Sequence, residues 1–205
     1  MRTKRLIVLV GASIAVLVIA IAGWLLLPRL LPYTYHGRVV DPAQPISDFT
    51  LIGPDNQPVK LSDFRGKLVV LYYGYTFCPD VCPTTLAELA RAMQKMGRQA
   101  DDVQVIMVTV DPGRDTPGVL AKYVANFDPH FLGLSGTPDQ IAAAAKPLGI
   151  YYQKHEGTAA TGYVIDHTAT VSVLDRQGYL RLEFTYGAPA EDIASDLSHL
   201  LGQQS

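Results

Sequence analysis

Apolar positions are unevenly distributed along the chain. Leu6 to Leu27 carries no charge and is interrupted only by Gly11, Ser13 and Gly23. A helix of that length, at about 1.5 Å per residue, spans the roughly 30 Å hydrocarbon core of a bilayer. Pro28, Pro32, Pro42 and Pro45 follow, so residues 28–45 read as an extended spacer. The pattern then becomes structured. Phe49 and Leu51, the turn residues Gly53-Pro54-Asp55-Asn56, and Val59 and Leu61 predict a hairpin. Leu68-Val69-Val70-Leu71-Tyr72-Tyr73 is a continuous apolar run, the signature of a strand buried on both faces. Leu86, Leu89, Ala90, Met93 and Met96 recur at helical spacing and predict a helix over about residues 80–97. Val103 to Val110 is a second buried strand, which completes a right-handed βαβ unit.

Residues 117–127 and 137–147 each begin with a Thr-Pro pair, a capping residue followed by a proline suited to the first helical position. Val171 and Val173, then Tyr179, Leu180, Leu182 and Phe184, predict two strands, antiparallel because Asp175-Arg176-Gln177-Gly178 turns between them. Ile193, Leu197, Leu200 and Leu201 mark a terminal amphipathic helix. A βαβ half followed by a ββα half is the thioredoxin order. The expected fold is therefore α/β and thioredoxin-like, a mixed central sheet flanked by helices, with an N-terminal hairpin and a single N-terminal transmembrane helix. Residues 1–27 form the anchor, 28–45 the spacer and 46–205 the folded domain.

Charge gives the leader a direction. Arg2, Lys4 and Arg5 precede the apolar run and only Arg29 follows closely, so the positive-inside bias leaves the N-terminus in the cytoplasm. A cleaved signal peptide is the rival reading, since Ala20-Ile21-Ala22 imitates a cleavage site. The length of the run and the interfacial Trp24 favour an uncleaved anchor. Both readings export the domain, and the absence of an Arg- and Ser-rich transit peptide points to a bacterial inner membrane with the domain in the periplasm. The whole chain carries a formal charge of −2, and without the leader's three bases and no acids the remainder carries −5. An acidic domain without basic runs argues against nucleic acid as a partner. Two cysteines exclude a disulfide-rich scaffold and a four-thiolate zinc site.

Both cysteines fall in Thr76-Phe77-Cys78-Pro79-Asp80-Val81-Cys82-Pro83, between the first core strand and its helix. Pro83 is tolerated only in a first helical turn, so the sulfurs lie at a helix N-terminus. Unpaired N–H groups and the positive dipole end favour thiolate there. A structural disulfide would close so small a ring that it would stabilise the fold by only about 1–2 kcal/mol. The spacing is C-x-x-x-C rather than the C-x-x-C of a thioredoxin redox pair, and the extra residue leaves room for an ion. Among the histidines, His36 lies in the spacer, His199 on the terminal helix, and His130 and His155 in polar, turn-like stretches. His167 immediately precedes the antiparallel hairpin, at the junction that faces the cysteine-bearing helix in a thioredoxin-like fold. A lone histidine there is either structural or a third ligand.

Tyr73-Gly74-Tyr75-Thr76-Phe77-Cys78-Pro79-Asp80-Val81-Cys82-Pro83-Thr84-Thr85-Leu86 resembles the signature of the Sco/SenC family. Val110 to Pro117 resembles its second motif and Asp166-His167-Thr168-Ala169 its third, and the likeness covers about residues 45–203. The turn Asp175-Arg176-Gln177-Gly178 lacks the proline common in the family but keeps its Asp and Gly. The resemblance implies a membrane-anchored, thioredoxin-like metallochaperone rather than an enzyme. It implies one copper, Cu(I) or Cu(II), held by Cys78, Cys82 and His167 for delivery to the CuA centre on the copper-bearing subunit of cytochrome c oxidase. A copper donor and a thiol reductant are the further partners it implies. Two thiolates and an imidazole form a soft, low-coordinate set suited to copper, whereas zinc would need a fourth ligand or water. The second nitrogen of His167 needs an acceptor, with Asp166 and Asp111 as candidates. Asp111, Arg114 and Asp115 are expected to order the loop after the second strand, with a solvated turn as the alternative for Arg114. A thiol–disulfide oxidoreductase that reduces the oxidase's copper-site cysteines through Cys78 and Cys82 remains the alternative function.

Overall fold

The computed structural model describes residues 32–158 and 162–203, together with Leu17 and Ile21. The expected membrane span otherwise lies outside the described residues. Among the described residues no helix is long and apolar enough to cross a membrane.

In chain order the elements are β1 (Arg38–Pro45), β2 (Thr50–Ile52), β3 (Pro58–Lys60), β4 (Leu68–Gly74), α1 (Val81–Met96), β5 (Val103–Thr109), α2 (Pro117–Ala125), β6 (Leu132–Leu134), α3 (Pro138–Ala145), β7 (Tyr152–Glu156), β8 (Tyr163–His167), β9 (Val171–Leu174), β10 (Tyr179–Phe184) and α4 (Ala190–Gln203). The central sheet is mixed, in the order β1-β10-β9-β4-β5-β6. β4, β5 and β6 are parallel, and β9, β10 and β1 continue antiparallel from β4. Every residue of β4 is buried, as its uninterrupted apolar run requires. α1 and α4 pack together, and each buries an apolar row, Leu86, Leu89 and Met93 on α1 and Ile193, Leu197 and Leu200 on α4. The amide N–H of Ala190 donates to Glu88 Oε2 at 3.0 Å, which ties the start of α4 to α1.

The predicted hairpin is present as β2–β3, with Asp55 and Asn56 at φ +59° in its turn. Both residue types tolerate the left-handed region. In the β9–β10 turn Asp175 Oδ1 accepts the N–H groups of Gln177 and Tyr179 at 3.0 and 2.9 Å. Gly178 there adopts φ +84°. Three features depart from the expectations. The second half of the 28–45 spacer is β1, an edge strand paired with β10, where Pro42 and Pro45 are tolerated because an edge leaves N–H groups unused. His36 is also part of the fold. The buried carboxylate of Asp196 on α4 accepts the N–H groups of His36 and Gly37 at 3.0 and 2.8 Å and meets His36 Nδ1 at 2.9 Å. Finally, Tyr152–Glu156 is a strand paired with Tyr163–His167, so His155 lies in a small separate hairpin rather than in a turn.

Candidate metal centre

The cysteine loop leaves the C-terminal end of β4 at Gly74 and enters α1 at Val81. Close approach is what Gly74 permits. A Cβ there would lie 2.8 Å from Cys82 Sγ and 2.9 Å from the Cε1 of Tyr72. Cys78 sits in the loop, partly exposed, and its N–H donates to the Tyr75 carbonyl at 3.3 Å. Cys82 is the second residue of α1 and fully buried. Its amide N–H, one of the helix's unpaired donors, points to Cys78 Sγ at 3.4 Å. Both are free thiols. The third component arrives from β8, where His167 places Nε2 3.4 Å from Cys82 Sγ. The ligand atoms of Cys78, Cys82 and His167 all lie within 4.8 Å of one another.

The imidazole is fixed on its other side. His167 Nδ1–H donates to the carbonyl of Thr168 at 3.2 Å, which leaves the Nε2 lone pair facing the sulfurs. The rings of Tyr72 and Tyr75 meet it edge-on, with centroids 6.1 and 5.9 Å away. Neither acidic residue expected to accept from Nδ1 does so. Asp166 faces outward to His155 at 3.1 Å, and Asp111 accepts the Tyr163 hydroxyl at 2.7 Å and pairs with Arg114. In a strand, neighbouring side chains point to opposite faces, so Asp166 cannot share the face of His167.

The two sulfurs are unlike. The Cys78 thiol is lowered to about 4, first by the hydrogen bond from Cys82; burial opposes this as the next largest effect, and His167 and the amides of Cys82 and Asp80 add to the lowering. The Cys82 thiol is raised, first because it donates to Cys78 and then because it is buried. At neutral pH the pair is thus one thiolate and one thiol.

The loop after β5 braces this arrangement. Asp115, fully buried, accepts the Thr76 amide at 3.0 Å and the hydroxyls of Thr76 and Thr109, the latter at 2.7 Å. Arg114 pairs with Asp111, donates to the Tyr163 carbonyl at 3.1 Å, and stacks 3.7 Å from the Tyr163 ring and 4.7 Å from the Phe77 ring. The second motif therefore orders the loop as expected, and Arg114 is not a solvated side chain. The remaining histidines lie elsewhere: His36 on Asp196, His130 beside Asp128, His155 on Asp166, and His199 against the Tyr35 ring. An open groove of about 460 Å³, lined by Tyr75, Cys78, Pro79, Val164, Asp166 and His167, gives access to the centre. A separate hollow of about 280 Å³ near Met93, Val103 and Phe131 lies at the opposite end of β5 and contains no thiol.

Sequence reasoning identified the three soft donors. It missed the contacts of Tyr72, which read as strand filling, and of Tyr75, which was noted only within a motif, and the Thr168 carbonyl, for which a backbone atom leaves no sequence signal.

A family model described as SCO1/SenC matches residues 39–202. The mouse (Mus musculus) protein SCO2 homolog, mitochondrial, is 34% identical over 152 residues, covering 73% of this chain and 60% of the relative. The aligned stretch thus spans about three fifths of that longer protein. The solution structure of apo Sco1 from Thermus thermophilus is similar, with a TM-score of 0.75, 42% identity, and coverage of 82% of this chain and 98% of that one. The structure of Bradyrhizobium japonicum ScoI with copper bound has a TM-score of 0.69 and 37% identity, covering 76% of this chain and 99% of that one.

Proposed function

The chain belongs to the SCO1/SenC family, and on that premise we propose that it is a metallochaperone for cytochrome c oxidase. In this reading one copper ion is its cargo, held by Cys78, Cys82 and His167 and passed to the CuA centre of the oxidase's copper-bearing subunit during assembly. The observation that carries it is the convergence of two sulfurs and an imidazole nitrogen within 4.8 Å, from a helix start and a strand end otherwise far apart in sequence. The donor set fits copper: soft, three-coordinate, with the imidazole tautomer fixed for ligation. Transfer by ligand exchange would begin at Cys78, the accessible sulfur, while Cys82 and His167 retain their hold deeper in the site. A copper donor and a thiol reductant complete the cycle.

Anaerobic copper titration of a chain starting at residue 33 tests this. One tightly held copper with thiolate-to-Cu(II) charge transfer is expected, and no binding by the reduced protein would sink it. Replacing His167 by Ala should weaken binding by more than about 100-fold, since even losing a supporting hydrogen bond commonly costs 10–100-fold.

The lowered Cys78 thiol favours a second reading, a thiol–disulfide oxidoreductase acting on the oxidase's copper-site cysteines. Cys78 thiolate would attack the target disulfide and Cys82 would resolve the mixed disulfide, leaving the target reduced and this pair oxidised. His167→Ala separates the two, because exchange needs only the sulfurs. Normal oxidase assembly in that variant would favour the reductase. We also propose that residues 6–27 anchor the chain in a bacterial inner membrane with the domain in the periplasm. The uncharged run and the preceding bases support this, and release of the protein by alkaline carbonate would count against it.

A further inference from the structure

Tyr72 is a fully buried residue of β4 whose hydroxyl lies beside the Cys82 sulfur and the Thr85 hydroxyl without meeting good hydrogen-bond geometry to either. A buried donor left without a well-formed hydrogen bond is destabilising, so its position calls for an explanation. The ring lies against the metal centre on two sides. It meets the His167 imidazole edge-on, and its Cε1 and Cys82 Sγ flank the point where a Gly74 Cβ would be, at 2.9 and 2.8 Å. Cε1 is bonded to the carbon that bears the hydroxyl, so the O–H belongs to the same buried corner as the sulfur. A phenol O–H donates a single hydrogen bond, and a thiolate sulfur can accept one. The neighbouring Tyr73 is equally buried and also unpartnered, but it points to the opposite face of β4 and is a built-in control.

We propose that Tyr72 is a positioning residue of the copper site, its hydroxyl donating to the Cys82 sulfur when that sulfur is a thiolate ligand. The inference rests on the copper reading above and deepens it. Cys82 Sγ lies 3.4 Å from His167 Nε2 and beside the Tyr72 ring at Gly74, so the buried hydroxyl is placed next to the sulfur that would hold the metal. A thiolate ligand keeps lone pairs to which such an O–H can donate. A hydrogen bond to a thiolate withdraws charge from sulfur and stabilises the more electron-rich Cu(I) form relative to Cu(II).

The test is Tyr72→Phe, with Tyr73→Phe beside it, in the copper-loaded protein. Tyr72→Phe should still bind one copper, because all three ligands remain. Its Cu(I)-to-Cu(II) affinity ratio should fall roughly three- to tenfold, a tenfold change being about 59 mV on a one-electron couple. Its thiolate-to-Cu(II) band should move to longer wavelength, while Tyr73→Phe should leave both unchanged. Copper held by Tyr72→Phe with the wild-type ratio and band overturns the inference and leaves the copper reading standing. Absence of copper from wild type overturns both. If Tyr72→Phe does not fold, wild-type protein loaded with diamagnetic Cu(I) decides the matter by proton NMR. A slowly exchanging Tyr72 hydroxyl proton with a cross-peak to the Cys82 Hβ protons supports the inference. Solvent-rate exchange of that proton overturns it.

Discussion

Cys78 accepts the Cys82 amide at 3.4 Å from a half-exposed loop, whereas the Cys82 sulfur is enclosed between Gly74 and His167. The hydrogen bond from the neighbouring thiol, aided by amides of the helix start, lowers one group, and donation together with burial raises the other. The reactive species of a thiol is its thiolate. Alkylation of Cys78 by iodoacetamide in the reduced, metal-free protein should therefore stay near its full rate from about pH 8 down to pH 5.5. It should fall only as pH drops through about 4, whereas an ordinary thiol slows below about pH 8.5. Mass spectrometry of the labelled cysteines reads the profile, and a rate that falls from pH 8 onward would refute it. Cys82 should remain unlabelled throughout. The two cysteines were legible as residues because cysteines at a strand-to-helix junction are distinctive, whereas His167 stood out as a ligand only through its likeness to a family motif. The partner of His167 Nδ1 was not legible, because it is a main-chain carbonyl and the nearby acids serve His155, Tyr163 and Arg114.

Among the elements, the cysteine loop has no regular structure of its own and takes its shape from the loop after β5. Asp115 alone satisfies an amide and two hydroxyls there. Asp115→Ala should lower unfolding stability by about 2–4 kcal/mol, because it orphans several buried donors at once. Urea denaturation measures this, and a loss under about 0.5 kcal/mol would show that the brace is dispensable. Asp115→Asn should lose less, keeping one acceptor. The βαβ core was readable because β4, β5 and α1 each carry a clear period. β7 and β8 were not, since Gln153, Lys154, His155 and Glu156 are exposed and show no apolar alternation. β6 spans three residues, too few to establish a period. β1 was hidden by its prolines, which usually signal a spacer and here mark the edge of a sheet.

For the molecule as a whole, β1 closes the sheet and Asp196 fastens its start to α4. A chain starting at residue 46 loses the β1–β10 pairing and the burial of Val40, and leaves the Asp196 carboxylate buried without its amide donors. It should be at least about 3 kcal/mol less stable than a chain starting at residue 33, a large share of an ordinary domain's 5–15 kcal/mol. It should also self-associate through the bared edge of β10. Equal urea midpoints for the two chains would refute this. Because β1 takes residues 38–45 into the sheet and Asp196 holds the amides of His36 and Gly37, at most residues 28–35 separate the proposed anchor from the fold. Eight residues can reach at most about 28 Å, against about 60 Å for the eighteen of 28–45. If residues 6–27 anchor the chain as proposed, the volume open to the tethered domain scales as the cube of that radius, and the shorter leash would confine the candidate metal centre to roughly a tenth of the territory. Its effective concentration toward targets in the same membrane would rise by the same factor.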